Sequence, residues 1–122
     1  MAYHIDTQQK IWRITFSGTM TNRDLHELLN DARELEKDKQ IVPNRIADLR
    51  QLETIEVGFS EMSSMAAARR NHPLPNTIKT AILTKGPVQF GIARMFQMLL
   101  EHPKIQVQVF SEEQDALMWL SD

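Results

Sequence analysis

The feature that most narrows the possible folds of this chain is an alternation. Three short strand-like runs, Arg45 to Leu49, Ile78 to Leu83 and Ile105 to Phe110, are separated by stretches of helical periodicity. The first helical stretch opens at Thr21 and repeats Leu25, Leu28, Leu29, Ala32 and Leu35, an apolar stripe against a charged back. The second starts at Ser60 and runs through His72, with Phe59, Met62, Met65 and Ala66 on one face, and the third runs from Pro87 to His102. Strands joined through helices pair in parallel, because the crossover returns each strand to the same end of the sheet. Ahead of them, Ala2 to Thr7 and Ile11 to Thr19 flank a polar QQK turn and read as a hairpin, which supplies an antiparallel edge. Ser111, with Gln114 completing a capping box, opens a last helix whose Ala116, Leu117 and Leu120 face inward. The order ββαβαβαβα predicts a single α/β domain over residues 1–122, a mostly parallel mixed sheet with helices packed on its faces.

One stretch has the outline of a chemical motif. TKGPVQFGIARMF, from Thr84 to Phe96, follows a strand with glycine, four residues and glycine, then a helix. A nucleotide-binding phosphate loop also needs Lys and Ser or Thr after its second glycine, and inward backbone amides throughout. Here Ile92 and Ala93 follow Gly91, and Pro87 removes an amide. The stretch is therefore a helix start, with Pro87 at the first helical position. Val88, Ile92, Met95, Phe96 and Leu99 share an arc that predicts the core face, and Gly91 lies at its flank, where a missing side chain permits close packing. Phe90 falls on the opposite side with Arg94, Gln97 and Glu101, where it can pack on Arg94 one turn later.

Charge is distributed unevenly. The net charge is −2, yet no acidic residue occurs between Glu61 and Glu101, a segment that carries Arg69, Arg70, Lys79, Lys85 and Arg94. Such a segment suits an anionic surface, although chance can produce it as well. Nucleic acid is not the expected partner, because the pI is near 6.1 and the basic residues are not interleaved with aromatics. The chain has no cysteine, which excludes disulfides, thiolate metal sites and a cysteine nucleophile. His4, His26, His72 and His102 are scattered outside any metal-binding spacing, so neither a metal nor a cofactor is expected. Asp48 is the carboxylate best placed at a strand's carboxyl end, but bonding to the following turn accounts for it better than catalysis. An enzyme is not the expected class. The opening MAYHIDTQQK lacks a signal-peptide profile, and no apolar run approaches the roughly 18 residues of a membrane span. The expected location is cytoplasmic, with peripheral contact at the inner membrane face as an option.

The phrases GTMTNRDL, RIADLRQLE, AAARR, IKTAIL, FGIARMFQMLL and VFSEEQDALMWL together resemble the SpoIIAA-like bacterial family, within the superfamily of sulfate-transporter and anti-sigma-factor-antagonist (STAS) domains. The resemblance covers essentially the whole chain and implies a sheet with helices on its faces and no catalytic machinery. It further implies a binder of apolar ligands or membrane surfaces that uses a mobile helix pair, here Phe59 to His72 and Pro87 to His102. On that reading Phe59, Met62, Met65, Phe90 and Met95 line a small apolar pocket or its mouth. Arg69, Arg70, Lys85 and Arg94 then attract anionic headgroups. The alternative implied by the family is a switch that binds a regulatory protein and is controlled by serine phosphorylation. Antagonists of that kind carry the serine in a D-S-S-G setting, whereas this chain reads VGFSEMSS, so Ser60 is the nearest candidate but lacks the preceding Asp and following Gly. A homodimer is compatible with either reading.

Overall fold

The computed structural model describes residues 2–122. Its elements are β1 (Tyr3–Asp6), β2 (Trp12–Thr21), α1 (Asn22–Glu36), β3 (Arg45–Glu56), α2 (Phe59–Arg70), β4 (Ile78–Leu83), α3 (Pro87–Leu99), β5 (Ile105–Phe110) and α4 (Glu113–Leu120). This is the predicted order. The five strands form one sheet in the order β1-β2-β3-β4-β5. Only the β1–β2 pair is antiparallel, with Ile5 opposite Ile14, and the other three pairs are parallel.

Each parallel strand is added beside the one before it and always in the same direction. Crossovers of one hand then carry α1, α2 and α3 to the same face. The main core forms there, where Leu25, Leu28, Met62, Met65, Ala66, Ile92, Phe96 and Leu99 meet Phe16, Ala47, Leu49 and Ile82 of the sheet. Phe16 and Phe96 pack edge to face, with ring centroids 5.1 Å apart. The chain turns to the other face only after β5. There α4 lays Ala116 and Leu120 on Ile46, Ala81 and Leu83, the residues alternate to those of the main core. As expected, β5 turns Gln106 and Gln108 outward.

The Thr21 cap forms as predicted: the Asp24 N–H donates to Thr21 Oγ1 (3.2 Å) and the Thr21 N–H to Asp24 Oδ2 (3.0 Å). Pro87 occupies the first turn of α3. Gly86 before it has φ 85°, a conformation that favours glycine. Gly18, at φ 66°, stands at the register shift where β3 carries an extra residue against β2.

Several local expectations are corrected. The helix α2 ends at Arg70, and its N-cap is Gly58, so Ser60 lies within the first turn. Residue 112 is the N-cap of α4, and the box between Ser111 and Gln114 does not form. Leu117 is exposed, because α4 is short and only its Ala116 and Leu120 side reaches the sheet. Val88 is exposed as well, since the first turn of α3 overhangs the end of β4. Gly91 meets nothing within 4 Å of where a Cβ would stand, so no close packing depends on it.

The longest departure is β3, which continues seven residues past the expected Leu49 to Glu56 and pairs with β2. Its pairing with β4 stops at Asp48 opposite Leu83, which leaves the upper edge of β3 without a strand. Gln89 of α3 takes the strand's place. Its Nε2 donates to the carbonyls of Arg50 (2.9 Å) and Leu52 (3.0 Å), and its Oε1 accepts from the Lys85 N–H (2.6 Å). Replacing Gln89 by Leu keeps the bulk but strands two buried carbonyls. Urea unfolding should show a loss of about 1–3 kcal/mol, and an unchanged midpoint would mean that water takes over the edge.

Candidate functional site

Three clusters of polar or exposed residues stand out from this frame. The first is internal. Glu36, the last residue of α1, is buried and accepts from Arg45 Nη1 of β3 (2.8 Å) and from Arg69 Nη1 and Nη2 of α2 (both 2.7 Å). Two guanidiniums on one carboxylate thus join three elements, and the Arg45 guanidinium also lies 5.2 Å from the centroid of the Trp12 ring. Burial pushes the Glu36 carboxyl upward, but the hydrogen bonds and charges of Arg69 and Arg45 outweigh it and hold the group below the usual carboxylate range. His72 Nε2 is 3.4 Å from the same carboxylate. Burial and the Arg69 charge nevertheless lower the imidazole's affinity for a proton, and Glu36 only partly offsets them. His102 ties this corner together: the Lys104 N–H donates to its Nδ1 (2.9 Å), so Nε2 carries the hydrogen and donates to the His72 carbonyl (2.6 Å).

The second cluster lies on the α4 face. Asp48 is buried and accepts from Arg13 Nη1 (3.1 Å) and from the Arg50 N–H, Nε and Nη2 (3.1, 2.9 and 2.8 Å). Both arginines also reach Glu113 in the first turn of α4, at 3.0 and 3.1 Å. Burial raises the Asp48 carboxyl, but Arg50 and Arg13 overcome that and keep it ionised. The expected bond to a following turn is corrected: β3 runs on past Asp48, and the carboxylate bonds instead to Arg50 of the same strand and Arg13 of β2. The network pins α4 to the sheet, and its four groups satisfy one another.

The third cluster is the exposed end of α2 and α3, which both begin at the carboxyl end of the sheet and pack together. Phe59 is 75% exposed, Val88 71% and Phe90 47%. The Arg94 guanidinium lies 5.4 Å from the Phe90 ring centroid, the stacking expected from their spacing. Lys85 is exposed beside them in the β4–α3 turn. Farther along α2, the outward residues Ser60, Ser64 and Ala68 are small and uncharged.

The residues expected to line a pocket are therefore divided. Met62 and Met65 are buried, at 1% and 5% exposure, Met95 is half-buried against the same core, and Phe59 and Phe90 stand outside. They do not surround a common pocket, because α2 is seated on the sheet rather than lifted from it. Arg69 is likewise no surface charge but the partner of Glu36. Arg70 faces Glu101 at 3.6 Å, and Lys79 donates to the Trp119 and Asp122 carbonyls on the α4 side. Lys85 and Arg94 are left to give the exposed end its positive charge. Among the described residues no group of three or more His, Asp or Glu side chains could hold a metal ion, and no helix is long and apolar enough to cross a membrane.

Sequence reasoning passed over Glu36, Arg45, Thr80 and Gln89. Position parity could have found three of them. Glu36 continues the α1 stripe one turn beyond Ala32, Arg45 shares its side of β3 with Ala47 and Leu49, and Thr80 shares its side of β4 with Ile78 and Ile82.

A single mixed sheet with three crossover helices on one face and a closing helix on the other is an α/β fold of the SpoIIAA-like type. A model of the SpoIIAA-like family matches residues 11–121, and the chain belongs to that family. Among solved structures it is similar to an uncharacterized protein from the DUF3478 family with a SpoIIAA-like fold, from Shewanella loihica PV-4. That alignment has a TM-score of 0.63 at 17% identity and covers 98% of this chain and 92% of that one. No curated protein sequence matches.

Acid should weaken this fold through the first cluster. The contribution of Glu36 is complete above the unfolded carboxyl value of about 4.5 and is lost as pH falls through the lower folded value. His72, whose folded value is also lowered, adds a shallower decline that begins as pH falls below 6.5. Thermal melts should therefore show a falling midpoint on acidification, steepest below about pH 4.5. Glu36→Gln should cost about 3–5 kcal/mol at neutral pH and flatten the acid limb. An acid limb unchanged by that substitution would place the effect elsewhere.

Proposed function

We propose that this chain is a non-catalytic binding module that docks on an anionic membrane surface through the outer end of α2 and α3. The observation that carries this reading is the exposure of Phe59, Val88 and Phe90 at that end, beside Lys85 and Arg94. Apolar side chains of this kind enter the boundary between headgroups and acyl chains, and each basic group near such a surface adds about 1 kcal/mol of attraction. The acid-free segment supports the reading at Lys85, Val88, Phe90 and Arg94, whereas Phe59 lies outside it, with Glu61 in the same first turn of α2 paired to His26. Binding of an apolar small molecule by this face has less support, since the methionines that would line its pocket are committed to the core.

Co-sedimentation with vesicles of mixed phosphatidylserine and phosphatidylcholine tests the proposal. Binding should be present at low salt, fall as salt is raised and be weak on phosphatidylcholine alone. Phe59→Ser with Phe90→Ser should abolish it, and Lys85→Glu with Arg94→Glu should reduce it about tenfold or more, as two removed attractions of this size predict. Wild-type protein that stays in the supernatant with anionic vesicles at low salt overturns the reading.

A second reading is favoured by one observation: Ser60 is exposed in the first turn of α2, where the Gly58 N-cap provides no side-chain bond to the helix amides. A phosphate there would meet the helix N-terminus and alter the same docking face for a regulatory protein partner. Phosphopeptide mapping of protein isolated from its cell should place the phosphate on Ser60, and a clean unmodified peptide would count against this switch.

A further inference from the structure

In and beside the internal ion cluster, three buried polar atoms have no partner among the described residues: Arg45 Nε, Arg69 Nε and Thr80 Oγ1. The three residues that carry them line one cavity, together with Ile14, Phe16 and Leu99. All three are more than nine-tenths buried, and an unmet buried donor costs about 1–3 kcal/mol. The cavity offers about 40 Å³ to the centre of a water molecule, where a single water needs about 10–15 Å³. There is thus room for a small polyatomic group.

We propose that this cavity is a binding site for a carboxylate anion, held by the Nε–H groups of Arg45 and Arg69 and the hydroxyl of Thr80. The chemistry of the donors selects that class. A guanidinium Nε–H can only donate, and a hydroxyl can donate too, so the three atoms call for an acceptor with several lone pairs. A carboxylate is such an acceptor, and bonds from charged donors to it are the strong kind. Charge points the same way, because two guanidiniums against Glu36 leave one positive charge in the interior. Water fits less well: Thr80 Oγ1 can accept one of its hydrogens, but the other would face the apolar walls of Ile14, Phe16, Leu28, Phe96 and Leu99. A smaller cleft between α1 and α2 shares Leu29 and Arg69 with the cavity, so it lies on the other side of the Arg69 side chain. A cavity of this size takes the carboxylate of a small free acid and has no room for an acyl tail.

Titrating the intact protein at constant ionic strength with 13C-carboxyl acetate and, separately, decanoate tests the proposal by NMR and thermal shift. Saturable acetate binding that raises the melting temperature identifies a small free acid. Binding of decanoate without acetate means a larger apolar site elsewhere and overturns the proposal. Thr80→Val should weaken acetate binding about tenfold, the effect of losing one bond to a charged acceptor, while Thr80→Ser should keep it. No acetate binding, or acetate affinity unchanged by Thr80→Val, also overturns the proposal. Should Thr80→Val fail to fold, a crystal structure of the wild type grown with acetate decides, and ordered water alone against the two Nε atoms overturns it. Vesicle binding by the α2–α3 end does not depend on this outcome, so the two proposals fail separately.

Discussion

The contact on which the rest of this structure depends is the Glu36 carboxylate gripped by two guanidiniums. Glu36 ends α1, Arg45 begins β3 and Arg69 closes α2, so one buried ion cluster fixes the far ends of three consecutive elements. Hydrophobic burial alone is non-directional. It would seat α2 on the sheet without specifying how far along the helix sits, and its few apolar contacts are methionine and alanine, which pack adaptably. The bidentate hold of Arg69 on Glu36 supplies the missing position. Met62 and Met65 are therefore core rather than pocket, and Phe59, Val88 and Phe90 are left exposed on the outer end of α2 and α3.

Much of the architecture was legible because it rests on periodicity. The alternating runs ending at Leu49, Leu83 and Phe110 and the stripe from Leu25 to Leu35 specify strands, helices and order with little reference to tertiary context. Resemblance of whole phrases such as FGIARMFQMLL to a family led to the same fold. What escaped were features in which residues far apart in the chain decide the outcome. The extension of β3 to Glu56 passes through QLETIE, beyond the expected strand end at Leu49, and it is a strand because β2 pairs with it. Gln89 carries no signal of its own in the sequence, and only the early end of β4 makes it a substitute strand edge.

The candidate site was legible in part for the same reason. Exposure of Phe90 and its stacking on Arg94 follow from local spacing, and they hold. The inward direction of Arg69 does not follow from spacing, since an arginine at a helix C-terminus ordinarily faces solvent and complements the dipole. It turns inward because Glu36 waits there, 33 residues earlier in the chain. A charge count along the chain cannot distinguish a guanidinium in the core from one on the surface, and so the positive segment looked more exposed than it is.

The unbroken strand order has a consequence for how the protein is made. Every strand pairs with its immediate predecessor, so a chain emerging from the ribosome can extend its sheet at one growing edge, one crossover at a time. No strand has to be inserted between two already paired, and loop closure never spans more than a single βα unit. The opposite face follows a different timetable. Ile46, Ala81 and Leu83 stay uncovered until α4, which follows all five strands, has been synthesised and folds back over them.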